Sequence, residues 1–542
     1  MKFSLWREEW IPVVNRTGAT QCSLRDLFDH AHEITKLQHG NPLMEVAIFR
    51  LLLAILLDAV GPIDSDEWCQ RWERGRFDQA EFRRYAAEVE ARFDLLDPVA
   101  PFYQVAGLST PSGEVKSTLL LFPELASGNN VPLFAAGTEA EPPLVRLQEA
   151  ARRLLATMSF DVAGIKSGAV GDPQMAAGKT TGNRPGVAGQ LGITIPLGGN
   201  LFESLMLNVP FPLADDSPDV GDAPVWRRDP QTAAWKTRPS MGLMDMLTWQ
   251  SRRIRLVVDD EDDPQSVVGV IVAAGDRLEA VNPYHEAHTA WRATDPSERL
   301  MSQRPVRHQP GKAAWRGMDS LLALGSGDSP ISPATALTWV GRRSSYLGLT
   351  YPLIVRTVGV VYGNQSAVVE HVLADATPLP ITALMATSEG REVRDKLIGM
   401  AEAAEAIRKS LNRLLDNLRD SCGGVPVPWN KGDHPGDQFI AAIDGPTREF
   451  LSTVSSAPDE FEAAELEWEQ QAWLAACDVA YVLIESAPLA SFIGRDHDGD
   501  SKKLAMNQAR AEAFFRGDLK KNLEIAWAEL AQERKQHDRH DD

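Results

Sequence analysis

The sequence is poor in cysteine and in long apolar runs. It has four cysteines in 542 residues and none of them forms a C-x-x-C pair, so neither a disulfide framework nor a zinc ribbon is expected. Its most apolar run, 46–60, is interrupted by Arg50 and Asp58, whereas a bilayer span needs about 20 apolar residues. We therefore predict a buried helix there. The opening MKFSLWREEW lacks the apolar centre of a signal peptide, so we expect a cytoplasmic protein with no membrane partner.

Positive charge is also scarce. The chain has 55 Lys and Arg against 75 Asp and Glu, a formal net charge of -20. Because attraction to phosphates supplies most non-specific affinity for nucleic acid, the chain is not expected to coat DNA or RNA on its own. Residues 299–356 nevertheless contain eight Lys and Arg against two Asp and Glu, a local charge of 8 − 2 = +6. This segment is either an ordinary solvated surface or a basic face for a phosphate backbone.

The glycine-rich stretch GDPQMAAGKTTGNRPGVAGQLG, residues 171–192, contains Gly-Lys-Thr but lacks the spacing of a nucleotide-binding P-loop. A P-loop has a glycine five positions before the glycine that precedes the lysine, so that backbone N–H groups can surround the phosphates. Here that position is Pro173, which has no N–H. Another explanation for the glycines is therefore favoured.

Two other patterns only partly match known metal sites. YHEAH places His285 and His288 three residues apart, whereas the H-E-x-x-H zinc helix needs a spacing of four. DHDGDSKK, residues 496–503, begins like a calcium loop but has neither the glycine nor the final glutamate of that loop. We predict no catalytic residue, no metal site and no cofactor. The alternative is a nucleotide- or metal-dependent enzyme that uses the glycine-rich loop or these histidines.

Hydrophobic periodicity predicts an α+β fold, with a large mixed N-terminal domain followed by a C-terminal four-helix bundle. The predicted strands are EWIPVV, LGITIPL, LFESLMLNV, RRIRLVVD, VGVIVAA and LIVRTVGVVYG. Beyond residue 376, apolar residues recur at steps of three and four from Val393 to Leu418, which indicates one long helix. Further helices are predicted at 437–456, 459–486 and 501–535. The predicted domains are therefore 1–376 and 377–542.

Several stretches, taken in order, resemble one family. They are EWIPVVNRTG (9–18), FDLLDPVAPFYQ (93–104), RPGVAGQLG leading into GGNLFESLMLNV (184–209), LTWQSRRIRL (247–256) and YGNQSAVVEH (362–371). Together they are similar to the CasA family, the large subunit of the type I-E CRISPR surveillance complex Cascade. The predicted C-terminal bundle also fits this family.

The resemblance implies a DNA-recognition subunit with no enzymatic activity. It implies that the protein recognises the protospacer-adjacent motif in double-stranded DNA through the minor groove, promotes duplex opening and recruits a helicase-nuclease. The implied partners are target DNA, the 5′ end of the guide RNA and the handle-binding, backbone and small subunits of Cascade. A subunit that binds DNA only within an assembly needs a basic groove and not a basic surface, which is consistent with the acidic total charge.

The same resemblance points to particular residues. Gly186, Val187, Ala188 and Gly189 match the family's glycine loop, and bare backbone suits a minor groove about 6 Å wide. Asn364 and Gln365 match its glutamine wedge, which enters the duplex where the strands separate. The glycine stretch could instead be an ordinary mobile turn, and Asn364-Gln365 a polar hairpin tip.

Two further assignments follow from the resemblance. Phe134, Ala135, Ala136 and Gly137 match a mobile loop implicated in motif sensing and in contact with the guide RNA, although Phe134 could equally be a core residue. Arg277 is the nearest candidate for the family's motif-contacting lysine. Some relatives carry a cysteine cluster that this sequence lacks, so zinc is not implied.

Overall fold

The computed structural model describes residues 2–38, 40–125, 142–211, 221–258, 265–295, 302–323, 330–428, 431–432, 434–494 and 506–538, with side chains as far as residue 532. The helices are α1 Leu24–His30, α2 Pro42–Val60, α3 Ser65–Arg74, α4 Gln79–Val89, α5 Leu147–Phe160, α6 Leu201–Leu207, α7 Leu243–Leu247, α8 Met318–Leu322, α9 Thr335–Arg342, α10 Ser344–Leu347, α11 Ile381–Leu384, α12 Ser388–Ser421, α13 Pro435–Ser456, α14 Phe461–Glu485, α15 Ala490–Ile493, α16 Gln508–Asn522 and α17 Glu524–Asp538.

The strands are β1 Ile11–Asn15, β2 Gly18–Cys22, β3 Ile34–Leu37, β4 Val145–Arg146, β5 Gly164–Ser167, β6 Lys179–Asn183, β7 Ile193–Leu197, β8 Thr237–Arg238, β9 Arg252–Val258, β10 Ser266–Ala274, β11 Arg277–Leu278, β12 Trp291–Ala293, β13 Gln303–Pro305, β14 Ile331–Ser332, β15 Ile354–Tyr362 and β16 Val369–Pro378. Mixed strands and helices precede a helical C-terminal region, so the predicted α+β class is confirmed.

The chain divides into two compact units. The first consists of residues 1–312, 323–346 and 353–376, and the second of 313–322, 347–352 and 377–542. The helical unit therefore includes two short segments that lie before residue 376 in the chain.

Helix α2 is a buried core helix of the first unit. Asn41 accepts a hydrogen bond from the Leu43 N–H at 2.9 Å, and Pro42 occupies the first helical position, where its missing N–H costs nothing. Arg50 lies within this apolar helix and is 3% exposed, because its guanidinium forms an ion pair with Glu286 at 2.9 Å. Within the described residues no single helix is long and apolar enough for a bilayer span; α2 and α3 satisfy that test only as a pair bent by 115°.

Two sheets of the first unit position the candidate site. Strand β10 pairs antiparallel with β9, so that Val272 lies opposite Ile254, and parallel with β5 at Ala273 and Ser167. Strand β15 lies between β7 and β16. Strand β5 therefore anchors the segment that follows α5 in one sheet, and strand β15 anchors the segment that precedes residue 363 in the other.

One predicted strand is wrong. The stretch LFESLMLNV forms helix α6, because Asn200 and Glu203 make a reciprocal cap. The Asn200 side chain accepts from the Glu203 N–H at 2.9 Å, and the Glu203 carboxylate accepts from the Asn200 amide at 2.7 Å and from the Gly199 N–H at 2.9 Å. An asparagine cap of this kind favours the start of a helix even where the apolar run that follows has no clear period.

The long helix of the C-terminal unit is α12, and it packs against α13, α14 and α16. Its predicted apolar stripe is buried from Leu397 to Leu418. The predicted final helix, 501–535, is broken at Leu523 into α16 and α17. The Glu469 carboxylate of α14 accepts from the Ala526 N–H at 2.8 Å, so a tertiary contact fixes the start of the second piece.

Candidate nucleic-acid interface

Two of the predicted DNA-contacting segments meet at the end of α5. Residues 160–163, here called the junction, bond to both of them. The Asp161 carbonyl accepts from the Gly186 N–H at 2.8 Å, and the Ala163 N–H donates to the Ser366 carbonyl at 2.8 Å. The Tyr362 hydroxyl donates to the Phe160 carbonyl at 2.7 Å. The structure therefore brings the glycine loop, residues 186–189, and the turn at Gln365 together.

The glycine loop is buried in the free chain. Gly186 lies against the end of α5, where an added Cβ would be 2.3 Å from the Ser159 carbonyl oxygen. A Cβ at Gly189 would lie 1.9 Å from the Tyr362 hydroxyl oxygen. Val187 and Ala188 are 6% and 5% exposed. Sequence reasoning attributed these glycines to close approach of DNA; the structure gives them a packing function, because no side chain fits between the loop and its neighbours.

The Gln365 turn is exposed and strained. It connects β15 to β16, and the side chains of Asn364 and Gln365 face solvent. Gln365 has φ 53° and Ser366 has φ 55°, which is the left-handed region that non-glycine residues rarely adopt. Hydrogen bonds hold this backbone in place: the Ser366 N–H donates to the Gly363 carbonyl at 2.8 Å, and the Gly363 N–H donates to the Val368 carbonyl at 2.9 Å. Strain of this kind is a feature of functional sites.

A small cleft lies beside the glycine loop, and Arg277 and Arg184 contribute to its walls. The Arg277 guanidinium stacks on the Trp235 ring at 4.1 Å and donates to the Thr181 carbonyl at 2.6 Å. Burial, and then the charges of Arg184 and Arg252, lower the pKa of the Arg277 side chain. Like-charged guanidiniums in one cleft make it a favourable place for an anion.

Behind the cleft lies a buried charge cluster of one carboxylate and two cations. Asp161 accepts from the Lys166 ammonium at 2.6 Å and from the Arg252 guanidinium. Burial opposes ionisation of Asp161, but the two cations outweigh it and hold the pKa of the carboxyl below its ordinary value. Burial lowers the pKa of Lys166.

The basic segment 299–356 does not form one continuous face. Three of its arginines are engaged inside their own units: Arg316 with Glu405, Arg343 with two backbone carbonyls and Arg356 with Glu45. Arg304, Arg307 and Lys312 are exposed. Of these, Arg307 adjoins the glycine loop, since its Nε donates to the Gln190 carbonyl at 3.0 Å.

The glycine-rich stretch is not a P-loop. Residues Ala176 and Lys179 exchange backbone hydrogen bonds of 2.9 and 3.0 Å in a tight turn, and Lys179 begins strand β6. A P-loop lysine instead begins a helix whose N-terminal N–H groups bind phosphate. The nucleotide-binding alternative therefore lacks its structural basis.

The histidine pair has structural roles. His288 is fully buried between the Asn208 amide at 3.0 Å and Arg50, and burial lowers its pKa to about 3. His285 bonds instead to the Ser240 hydroxyl at 2.7 Å. Among the described residues no group of three His, Cys, Asp or Glu side chains is arranged to hold a metal ion.

Several predicted residues fall outside the described part of the chain. They are Phe134, Ala135, Ala136 and Gly137 of the predicted mobile loop. In the helical unit, Arg516 of α16 pairs with Glu512, and Lys520 lies 4.1 Å over the Trp527 ring.

Sequence reasoning missed Arg184 and the buried cluster. Arg184 directly precedes the Pro185-Gly186 step of the resembling motif, so its position was available as a signal. The association of Asp161 with Arg252 had no local signal, because 91 residues separate the two in the chain.

Comparison with known proteins identifies the family. A sequence profile described as CRISPR-associated protein Cse1 matches residues 4–479. The CRISPR-associated protein CasA/Cse1 of Thermus thermophilus is 30% identical over 407 residues, which are 74% of this chain and 75% of that protein. The crystal structure of Thermobifida fusca Cse1 is 33% identical with a TM-score of 0.82, covering 97% of this chain and 99% of that one.

A chain of a CRISPR RNA-guided surveillance complex shares the fold, with a TM-score of 0.69 and 18% identity over 89% of this chain and 98% of that one. The profile match extends over most of the sequence, and the Thermus relative is similar over about three quarters of both chains. The chain therefore belongs to the Cse1/CasA family of CRISPR-associated proteins.

Proposed function

We propose that this chain is the DNA-recognition subunit of an RNA-guided surveillance complex and that it has no catalytic activity of its own. In this proposal it recognises a protospacer-adjacent motif in duplex DNA, promotes strand separation and recruits a separate helicase-nuclease. One observation carries the proposal: the glycine loop, the exposed Gln365 turn and the Arg277 cleft all adjoin the junction or the loop bonded to it.

The Gln365 turn has the properties of a wedge. Its amide is exposed and uncharged, and it can both donate and accept hydrogen bonds. It can therefore bond to a base edge of either DNA strand. The flanking hydrogen bonds hold it in a fixed shape, so little conformational freedom is lost on contact. Unstacking one base-pair step costs about 1.4 kcal/mol, which pairing with the guide RNA offsets. A wedge therefore needs only to ease the first step.

The cleft supplies the charge that motif recognition needs. Arg277 and Arg184 would contact phosphates or the acceptors of the minor groove, which separate A·T from G·C but barely separate A·T from T·A. Because Ser159 and Tyr362 cover the glycine loop in the free chain, we assign the first contact to these guanidiniums. Residues 186–189 then serve as the backbone that supports the contact surface.

The proposed partners are those of the family's assembly: target DNA, the guide RNA at its 5′ end, the other Cascade subunits and the helicase-nuclease. Family membership supports this, as does the shared fold of a chain in a CRISPR RNA-guided surveillance complex. We propose that the helical unit contacts the small subunits, and that the exposed cations of α16 face the displaced strand.

R-loop formation by the assembled complex tests the function. The variant is Gln365→Ala with Arg277→Ala, and the matched control is Gln79→Ala with Arg83→Ala, an exposed pair on α4 that bond to each other at 3.2 Å. We expect the first variant to form R-loops at least about tenfold more slowly, since each lost base or phosphate contact costs about 1–3 kcal/mol. The control should match the parent protein. Equal R-loop rates in the two variants, with guide RNA still bound, would contradict the proposal.

A further inference from the structure

Arg252 connects the two segments that the proposed function uses. Its Nη2 donates to the Val162 carbonyl of the junction at 2.9 Å and to the Arg184 carbonyl at 2.8 Å. Arg184 is two residues before Gly186, so one guanidinium bonds both the junction and the start of the glycine loop. The junction in turn bonds to the Gln365 turn through Ala163.

The guanidinium is held rigidly. It is 3% exposed, its Nε bonds to the Asp161 carboxylate and its Nη1 donates to the Ser251 carbonyl at 2.8 Å. The planar fork of arginine fixes the angle between these bonds, which a flexible ammonium cannot do. Ser251 also bonds directly to the loop, since its hydroxyl accepts from the Val187 N–H at 3.3 Å. The loop therefore has little freedom to move relative to the junction.

The cluster carries one more cation than the Asp161 carboxylate needs. Removing one partner of a buried ion pair usually leaves an unpaired buried charge and strongly destabilises the fold. Here Lys166 also bonds to Asp161, at 2.6 Å, so a neutral side chain at position 252 would still leave the carboxylate one cationic partner. The position of the loop is thus separable from the neutralisation of the carboxylate.

We propose that Arg252 is a positioning residue, which holds Arg184, at the start of the glycine loop, and the Gln365 turn at a fixed separation so that both engage the same step of the duplex. This inference rests on the proposed function. It assigns Arg252 to selectivity for the motif, although its side chain is buried and does not itself contact DNA.

The test compares Arg252→Met with Arg343→Met in the assembled, guide-loaded complex. Arg343 is a matched control because it is 2% exposed and donates to two backbone carbonyls, of Val209 at 2.7 Å and Pro210 at 3.0 Å, that belong to neither segment. The probes are duplexes that all match the guide RNA and differ only in the bases flanking the matched segment. Selectivity is the largest dissociation constant in this set divided by the smallest.

We expect both variants to lose thermal stability, but only Arg252→Met to lose selectivity, by about tenfold, in keeping with the usual size of coupling between contacting residues. Combining Arg252→Met with Gln365→Ala should cost less than the sum of the two, since both act on one contact. Selectivity that falls equally in the Arg343→Met control, or not at all, overturns the inference.

Two further measurements keep the test decisive. If Arg252→Met does not assemble, Arg252→Lys replaces it, because lysine keeps the charge beside Asp161 but cannot reproduce the fork to Val162 and Arg184. The same loss of selectivity is expected. Gln365→Ala alone distinguishes the two proposals: if it leaves R-loop formation unchanged, the proposed function fails, whereas a defect in Gln365→Ala without one at Arg252 refutes only the positioning role.

Discussion

At the scale of single residues, the loop needs glycine because its close neighbours leave no space for a side chain. A Cβ at Gly186 would meet backbone atoms of Ser159 and Phe160 at 2.3–2.6 Å, and backbone cannot rotate aside as a flexible side chain can. Gly399 on α12 is the opposite case, since an added Cβ there meets nothing within 4 Å.

These two glycines give opposite predictions. Gly186→Ala should destabilise the first unit by about 1–3 kcal/mol, as overpacking of a close contact does. Gly399→Ala should stabilise the second unit by about 0.5–1 kcal/mol, because alanine loses less conformational freedom in a helix than glycine. Urea unfolding of each variant, followed through the transition of its own unit, measures both effects. A Gly186→Ala protein as stable as its parent would contradict the packing described for the loop.

A buried histidine predicts how stability depends on pH. The pKa of His288 is about 3 in the folded chain against 6.5 for an ordinary histidine. Between these values the unfolded chain binds a proton that the folded chain does not, so stability falls as pH is lowered through this window and is fully present above pH 6.5. Glu286 adds to this at the acid end, since Arg50 outweighs burial and lowers the pKa of its carboxyl.

The contribution of His288 can be isolated by substitution. Urea midpoints measured from pH 7 to pH 4 should decrease in the parent protein, with this one group contributing at most about 1.4 kcal/mol per pH unit. His288→Gln, which has no titrating ring, should be less stable at pH 7 but show a shallower decrease. An unchanged pH dependence in His288→Gln would mean that the pKa of the ring does not differ between the folded and the unfolded chain.

At the scale of elements, the turn of hairpin β15–β16 has a strained backbone that lowers stability, and its exposed amide has a role in the proposed function. Its connecting turn places Gln365 and Ser366 in consecutive left-handed conformations, each of which costs an ordinary residue about 1–2 kcal/mol. A protein selected for stability alone would have glycine at both positions. The wedge role in the proposed function gives a reason for an amide at the first of them.

Gln365→Gly and Ser366→Gly distinguish these two effects. Both relieve the same kind of backbone strain, so each should raise the free energy of unfolding by up to about 1 kcal/mol. Only Gln365→Gly removes the amide, so only it should slow R-loop formation in the assembled complex. If Ser366→Gly slows R-loops to the same extent, the effect comes from the backbone of the turn and not from the amide.

The elements also show which features could be predicted from sequence. Helix α2, strand β7 and strand β15 follow apolar patterns that local spacing reveals, and the observed strands and helix match them. The apolar run of helix α6 has no distinctive period and so suggests a strand, whereas the cap at Asn200 and Glu203 is the local signal for a helix. The break at Leu523 could not be predicted, since it depends on Glu469 from another helix.

Sequence likewise indicates some features of the candidate site and not others. The loop and the turn were located by resemblance, and their proximity follows from the junction, which no local pattern indicates. Burial of the loop also depends on α5 and Tyr362, which are distant in sequence. The DNA contacts of Gly186, Gln365 and Arg277 remain predictions.

At the scale of the whole molecule, charge predicts how the chain binds DNA alone. Its formal net charge of -20 opposes association with phosphates, while Arg184, Arg277 and Arg307 adjoin the glycine loop and its cleft. The isolated chain should therefore bind duplex DNA weakly. Three phosphate contacts would give a slope of about −3 for the logarithm of affinity against the logarithm of salt concentration.

Titration of the isolated chain with labelled duplex at several salt concentrations measures this slope. Arg184→Ala should make it shallower by about one, because one fewer counterion is released. Arg83→Ala, on α4, should leave it unchanged. Tight binding that does not respond to salt would contradict a mode of recognition that depends on the assembled complex.

Because residues 313–322 belong to the helical unit, a fragment that contains only residues 377–542 is incomplete. Trp315 is fully buried there, and its indole N–H donates to the Asp444 carboxylate of α13 at 2.7 Å. A polypeptide that begins at residue 377 lacks this indole and leaves a hole of tryptophan size in its own interior. Adding a peptide that spans 313–322 should fill the hole, so that the two fragments reassemble where the longer one alone remains loosely packed.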